Sequence, residues 1–174
     1  MTKNIYLRLV EESDVDFLLE LRLNKRLNKF LQQVSSDREE QIKWIKEYKK
    51  REILGNDYYF VIVDKVLGDL GFIRVYDIDY VNKAFTWGSW IIKDIDRPKY
   101  AAIESFLLSH EFAFFELNLN ISKFDARNEN TKAINFYNRF GVKFLYKDNI
   151  NNYFELTKSR YVQLKYSKYY KFFN

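Results

Sequence analysis

From Ile5 to Val10 apolar and polar side chains alternate, the period of a half-buried strand. Ser13-Asp14-Val15-Asp16 then opens a run with Phe17, Leu18 and Leu21 at helical spacing. Ser36-Asp37-Arg38-Glu39 opens another, with Ile42, Trp44, Ile45 and Tyr48 on one side. An oxygen-bearing side chain ahead of such a run accepts the free N–H groups of a first turn, so both runs are expected to be helices. The second stops at Gly55-Asn56-Asp57. Tyr58 to Val63, Leu70 to Tyr76 and Ala84 to Ile92 are rich in β-branched and aromatic residues, with short polar breaks between them. Three consecutive strands connected in this way predict an antiparallel meander.

Arg97-Pro98 leads into another helical pattern, because proline in a first turn lacks only an N–H that has no partner there. Ile103, Phe106, Leu107 and Phe114 form one stripe and Ala101, Leu108, Phe112 and Phe115 a second, so this central helix is expected to be buried on more than one face. Ile121 to Arg127 reads as a strand. Asn130 to Phe140 reads as a helix with Ala133, Phe136, Tyr137 and Phe140 inward, ended by a left-handed Gly141. Val142 to Tyr146 and Tyr161 to Tyr166 read as two last strands, separated by the polar turn region 149–152. There is no repeat, linker or low-complexity tract. The order β-α-α-β-β-β-α-β-α-β-β predicts one α/β domain over residues 1–174 around a mixed sheet.

Composition narrows the chemistry. The 174 residues are 47% hydrophobic, enough for one sizeable core, and they include no cysteine and one histidine, His110. A disulfide framework, a thiolate zinc site and thiol chemistry are excluded, and metal-free chemistry is expected. No apolar run approaches the roughly 20 residues that cross a bilayer, and the opening segment carries Lys3, Asn4 and Arg8, so a cytoplasmic protein without a membrane partner is expected. The net charge is +5, with 24 acidic residues interspersed among 29 basic ones. That balance suits an anionic small ligand better than a nucleic-acid stripe.

The segment richest in chemistry runs from Ile92 through a basic loop into a helix start, Lys93-Asp94-Ile95-Asp96-Arg97-Pro98-Lys99-Tyr100-Ala101-Ala102. Unpaired N–H groups and the positive end of the helix dipole make such a start a phosphate site. Arg97 and Lys99 add charge, and Ala101 and Ala102 are small enough for a bulky diphosphate to approach. On these residues alone, an ordinary turn with solvated charges is the simpler reading, and Asp94 and Asp96 weigh against an anion.

Arg97-Pro-Lys-Tyr100-Ala-Ala102-Ile-Glu104 resembles the loop-helix signature of the GNAT acetyltransferases, Gln/Arg-x-x-Gly-x-Gly/Ala, with Pro98 and Tyr100 where one branch has glycines. Asn130-Thr-Lys-Ala133-Ile-Asn-Phe136-Tyr137, followed by Gly141 and Phe144, is similar to the family's Asn-x-x-Ala-x-x-x-Tyr-x-x-x-Gly-Phe stretch. Leu67-Gly68-Asp69-Leu70-Gly71-Phe72 resembles its glycine-punctuated hairpin, and Leu7-Arg8 with Asp14 its opening. The resemblance implies a mixed central sheet with splayed central strands, helices on both faces, and acetyl-CoA as co-substrate in the splay. Ile92 would pair with the pantetheine arm, Arg97, Lys99, Tyr100, Ala101 and Ala102 would hold the diphosphate, and Asn130 and Ala133 would flank the arm. Tyr137 would be the general acid. From its helical pattern alone Tyr137 reads as a core aromatic.

No general base stands out. His110 lies in an apolar stripe and reads as a structural residue, Glu104 reads equally as structural, and Asp77, Asp79 and Tyr80 are turn residues that could line an acceptor. Trp87-Gly88-Ser89-Trp90 and the 134–141 stretch look most like acetyltransferases of nucleotide-linked amino sugars. The expected acceptor is therefore a small-molecule amine on such a sugar, and the resemblance also allows a homodimer. The alternative acceptor is a protein or peptide N-terminal amine, and a noncatalytic binding module is a third reading.

Overall fold

The computed structural model describes residues 2–94 and 97–173. Its strands are β1 (Ile5–Leu9), β2 (Tyr58–Asp64), β3 (Gly68–Asp79), β4 (Ala84–Ile92), β5 (Ile121–Arg127), β6 (Lys143–Lys147) and β7 (Asn151–Thr157). They lie in the order β1-β2-β3-β4-β5-β7-β6. The β4–β5 pair is parallel and the other neighbours are antiparallel, so the sheet is mixed; β2, β3 and β4 form the expected meander, with β1 antiparallel at its edge.

Helices cover both faces because successive strand residues point opposite ways. Tyr59, Val61 and Phe72 pack on one side with Val15, Leu18 and Leu21 of α1 (Val15–Leu23) and Ile45 and Tyr48 of α2 (Arg38–Ile53). Phe60, Ile62, Ile73 and Val75 pack on the other, with Phe106 and Leu107 of α3 (Ala101–Glu111), Tyr137 and Phe140 of α4 (Thr131–Phe140) and Tyr161 of α5 (Lys158–Leu164). The central helix α3 is buried on several faces, as its two stripes predict, and continues into a π-helical turn over Phe112–Glu116.

Local chemistry explains the helix ends. Asp37, one residue later than the predicted Ser36, caps α2 by accepting from the Glu39 and Glu40 N–H groups. Asp14 accepts from the Glu11 N–H and takes a two-pronged contact from Arg8 at 2.8 and 2.7 Å, which gives the Arg8…Asp14 opening a physical reason. Asn130 accepts from the Ala133 N–H at 3.2 Å to start α4, and Gly141 ends it at φ +100°.

The C-terminal expectation is corrected. Residues 161–166 are not a strand: α5 begins after Thr157, whose hydroxyl accepts from the Arg160 N–H at 3.2 Å, and Tyr161 and Leu164 bury at helical spacing. The last strand is β7, which starts at Asn151 and alternates to bury Phe154 and Leu156. The Asp148 Oδ1 accepts from the Ile150 and Asn151 N–H groups and so turns the chain two residues earlier than the polar run predicts. The element order therefore ends β-β-α.

Candidate active site

The parallel strands β4 and β5 pair only at Ala84–Ile121, Phe85–Ser122 and Thr86–Lys123, then part. A bulge lies where they separate. The β3–β4 register passes from Arg74–Gly88 to Phe72–Ile91, leaving two residues of β4 opposite Ile73, and Ser89 adopts φ +49°. The Lys93 N–H donates to the Leu70 carbonyl at 2.9 Å. The neighbouring Gly71–Ile92 pair is therefore the non-hydrogen-bonded kind, and the Ile92 N–H and C=O face the gap. Backbone groups on such an edge require a partner. A side chain at Gly71 would stand 2.0 Å from the Ile91 carbonyl oxygen, so the close approach of β3 to this edge depends on glycine.

The gap opens into a cavity of about 520 Å³ lined from both faces of the sheet. On the α4 side stand Trp90, Asn130, Ala133 and Tyr137. On the α1–α2 side stand Arg22, Gln41, Trp44, Tyr59, Arg74 and Tyr76, with residues 30–35 of the connection between those helices. Asp125 and Arg127 of β5 lie at the junction. The Tyr59 hydroxyl and the Trp90 indole N–H are buried there without a hydrogen-bond partner among the described residues, a mark of a site built for a polar ligand.

Tyr137 is wedged among Phe124, Trp87 and Phe154, at ring-centroid distances of 5.0, 6.1 and 5.1 Å. Burial, with the Asp125 charge nearby, holds its hydroxyl well above the ordinary phenol range, so the group keeps its proton at neutral pH. It makes no hydrogen bond to a described residue. Across the sheet, the Arg74 guanidinium lies over the Trp44 and Tyr76 rings, 5.5 and 4.6 Å from their centroids. Asp57, which also takes the Arg51 Nε at 3.0 Å, outweighs the cost of burying Arg74 and keeps it charged. Arg22 is buried and donates to Asn28 Oδ1 at 3.1 Å and to the Gln32 carbonyl, holding the α1–α2 connection over the cavity. Three arginines and one carboxylate, Asp125, are thus the charged groups among the described lining residues. Sequence reasoning missed Arg22, Arg74, Arg127 and Asp125.

The basic loop does not reach this cavity: Arg97, Lys99, Tyr100, Ala101 and Ala102 lie at the α3 N-terminus, past the end of β4. Tyr100 has φ −79° and ψ −22°, ordinary helical backbone, so no glycine is required there. Its hydroxyl donates to Asp64 at 2.7 Å, and that bond, with burial, pushes it up to about 12. Ala101 is fully buried rather than open to a ligand, and its N–H donates to the Pro98 carbonyl at 3.1 Å, so α3 starts three residues after the proline. Arg97 and Lys99 are exposed. Asp94 is paired with Arg26 at 2.9 Å, and Asp96 lies outside the described residues.

The remaining candidates are structural. His110 is sealed in the core, its Nδ1 2.8 Å from the Phe106 carbonyl and its Nε2 3.0 Å from the Ser122 hydroxyl. Glu104 is fully buried and accepts from the Asn4 and Ile5 N–H groups and from Asn4 Nδ2. Asp79 accepts from Asn82, and the Tyr80 hydroxyl donates to the Gly55 carbonyl; neither residue, nor Asp77, lines the cavity. Among the described residues no group of three or more His, Asp or Glu is placed to hold a metal ion, and no helix is long and apolar enough to cross a membrane.

An open strand edge beside a protonated phenol is the framework of an acyl-transfer cleft. Residues 4–143 match the family model of the acetyltransferase (GNAT) domain. The chain belongs to the GNAT family and is an N-acetyltransferase. The apo structure of FdhC, a nucleotide-linked sugar GNAT, is 37% identical to it, with TM-score 0.89 over 99% of this chain and 97% of that one. Spermidine N-acetyltransferase from Vibrio cholerae, in complex with CoA and spermine, is 20% identical, with TM-score 0.78 over 91% of this chain and 98% of that one, a likeness of fold. A comparison with curated protein sequences finds no match.

Proposed function

We propose that the chain transfers the acetyl group of acetyl-CoA to a primary amine on a nucleotide-linked amino deoxysugar. The observation that carries this reading is the acceptor half of the cavity, where Arg22, Arg74 and Arg127 outnumber the single carboxylate and Trp44 and Tyr76 offer aromatic surface. Such a lining attracts a diphosphate-linked sugar and repels a polyamine, which carries several positive charges of its own. The 37% identity to a nucleotide-linked sugar GNAT supports it.

The residues divide the work by position. The N–H and C=O of Ile92 that face the gap would pair with the pantetheine amides, beside Asn130 and Ala133. Arg97 and Lys99 would take the diphosphate at the α3 N-terminus. Acetyl-CoA, when bound, supplies an activated thioester carbonyl. Tyr137 holds a proton on the α4 side of the gap and would give it to the departing sulfur. The acceptor amine would approach from the α1–α2 side, over Trp44 and Tyr76.

The test is CoA release with a nucleotide-linked amino deoxysugar, with the same sugar lacking its nucleotide, and with a peptide N-terminus. Binding energy from the nucleotide orients the amine, so its removal is expected to lower kcat as well as raise KM. Efficient acetylation of the peptide with none of the sugar nucleotide would overturn the reading.

A further inference from the structure

We propose that Asp125 receives the proton of the acceptor amine, acting as the general base opposite Tyr137. This rests on the amine-acetylation reading above and adds to it the group that the sequence left unassigned.

Position carries the argument. β5 loses its β4 partner after Lys123, and Asp125 follows two residues later. Phe124 and Ala126 turn into the core beneath α4. Strand alternation therefore sends Asp125 to the opposite face, the side of α1 and α2 from which an acceptor enters. The carboxylate and the Tyr137 phenol thus flank one gap from its two sides, and both line the cavity. Among the described lining residues Asp125 is the one carboxylate, and no histidine or lysine accompanies it. His110 is buried in the core and Glu104 is saturated by three donors, so neither competes.

The surroundings suit proton transfer. Tyr76 from β3, Tyr137 from α4, Tyr153 directly across on β7, Asp148 from the β6–β7 turn and Arg127 on the same strand face or neighbour Asp125. Asp125 is exposed on the cavity wall, and partial desolvation there raises its carboxyl above the ordinary value, with Arg127 opposing that shift and Asp148 adding to it. A carboxylate so placed attracts an ammonium ion, and its raised carboxyl makes it a better base than a carboxylate at its ordinary value.

The step balances. One N–H bond of the bound ammonium breaks and its proton passes to Asp125, which releases it to water. The freed lone pair forms the C–N bond at the thioester carbon. As the C–S bond breaks, sulfur keeps the electron pair and takes the proton of Tyr137. The nitrogen's second proton, lost on collapse, restores the phenol through water. One proton is released per acetyl group transferred.

The experiment compares wild type, Asp125→Asn and Asp125→Glu by CoA release from about pH 6 to about pH 9, with acetyl-CoA affinity measured by calorimetry as a control for folding. The Asn variant is expected to keep its coenzyme affinity and to lose about 10²-fold in kcat. Its residual rate should climb about tenfold per pH unit up to the amine's own pKa, because only the unprotonated acceptor then reacts. Wild type should show a much shallower slope, and the Glu variant should recover part of the rate. An Asn variant with the wild-type kcat and pH profile overturns the proposal. If wild type acetylates a peptide amine but no sugar nucleotide, the sugar reading fails and the same comparison on that peptide still decides Asp125. A chain that releases CoA with no amine overturns both.

Discussion

The ring of Tyr137 on α4 stands edge-on to Phe124 on β5, with centroids 5.0 Å apart and planes at 68°. Trp87 and Phe154 close the other sides, so packing fixes the ring and leaves the hydroxyl to the cavity. A phenylalanine fills the same space. Tyr137→Phe is expected to keep stability within about 1 kcal/mol, to bind acetyl-CoA unchanged, and to lose about 10²-fold in kcat. Single-turnover CoA release checks this, and a wild-type rate of chemistry would reduce Tyr137 to a packing residue.

His110 sets an acid limit on stability. Burial pushes its imidazole down to about 3, so it stays neutral in the folded chain. An unfolded imidazole titrates near about 6.5. Between those values the unfolded state holds the extra proton, so the contribution is complete above about pH 6.5 and is lost as pH falls toward 3, by up to about 1.4 kcal/mol per unit. His110→Gln should be less stable at neutral pH yet show a shallower loss between about pH 6 and about pH 4. Urea denaturation at these two values measures it, and equal slopes for the two proteins would place the acid sensitivity elsewhere.

Glu104 ties α3 to the start of β1, its carboxyl oxygens 3.0 Å from both the Asn4 and Ile5 nitrogens and 2.7 Å from Asn4 Nδ2. Glu104→Ala strands these donors and is expected to cost about 3 kcal/mol of stability, while the folded fraction binds acetyl-CoA normally. Weakened coenzyme binding at full stability would instead move Glu104 into the coenzyme site.

Gly71 governs the open edge of β4. A methyl group there meets the Ile91 carbonyl and the Ile92 Cα, at 2.0 and 2.8 Å, and backbone cannot yield as a flexible side chain does. Gly71→Ala is expected to destabilise the fold by about 3 kcal/mol and, by shifting Ile92, to weaken acetyl-CoA binding as well. Calorimetry on protein shown to be folded separates the two effects; unchanged coenzyme affinity would mean that the Ile92 edge is not part of the pantetheine track.

Segments with a strong local period were legible in the sequence. The strand at Ile121–Arg127, the helix that follows Asn130 and the left-handed Gly141 fall where side-chain type alone places them. The region 161–166 was misread because Tyr161, Val162 and Tyr166 suit either period, and the burial of Tyr161 with Leu164 decides for helix only once the sheet is complete. The bulge at Ser89 was not legible, since serine carries no marked left-handed preference. Asn130, Ala133 and Tyr137 were named through the resemblance carried by one continuous stretch, and all three line the cavity. Arg22, Arg74, Arg127 and Asp125 were not named, because they come from α1, β3 and β5 and meet only in the folded cavity; each taken alone is an ordinary charged residue on a helix or strand face.

The central claim is that the arginine-lined half of the cavity selects an anionic, nucleotide-linked amine. The ratio of kcat/KM for a nucleotide-linked amino deoxysugar to that for spermidine, measured by CoA release at low and high salt, tests it most directly. The account predicts a ratio above about 10² at low salt, falling as ionic strength screens the diphosphate. A ratio near one, or a preference for spermidine, would contradict it.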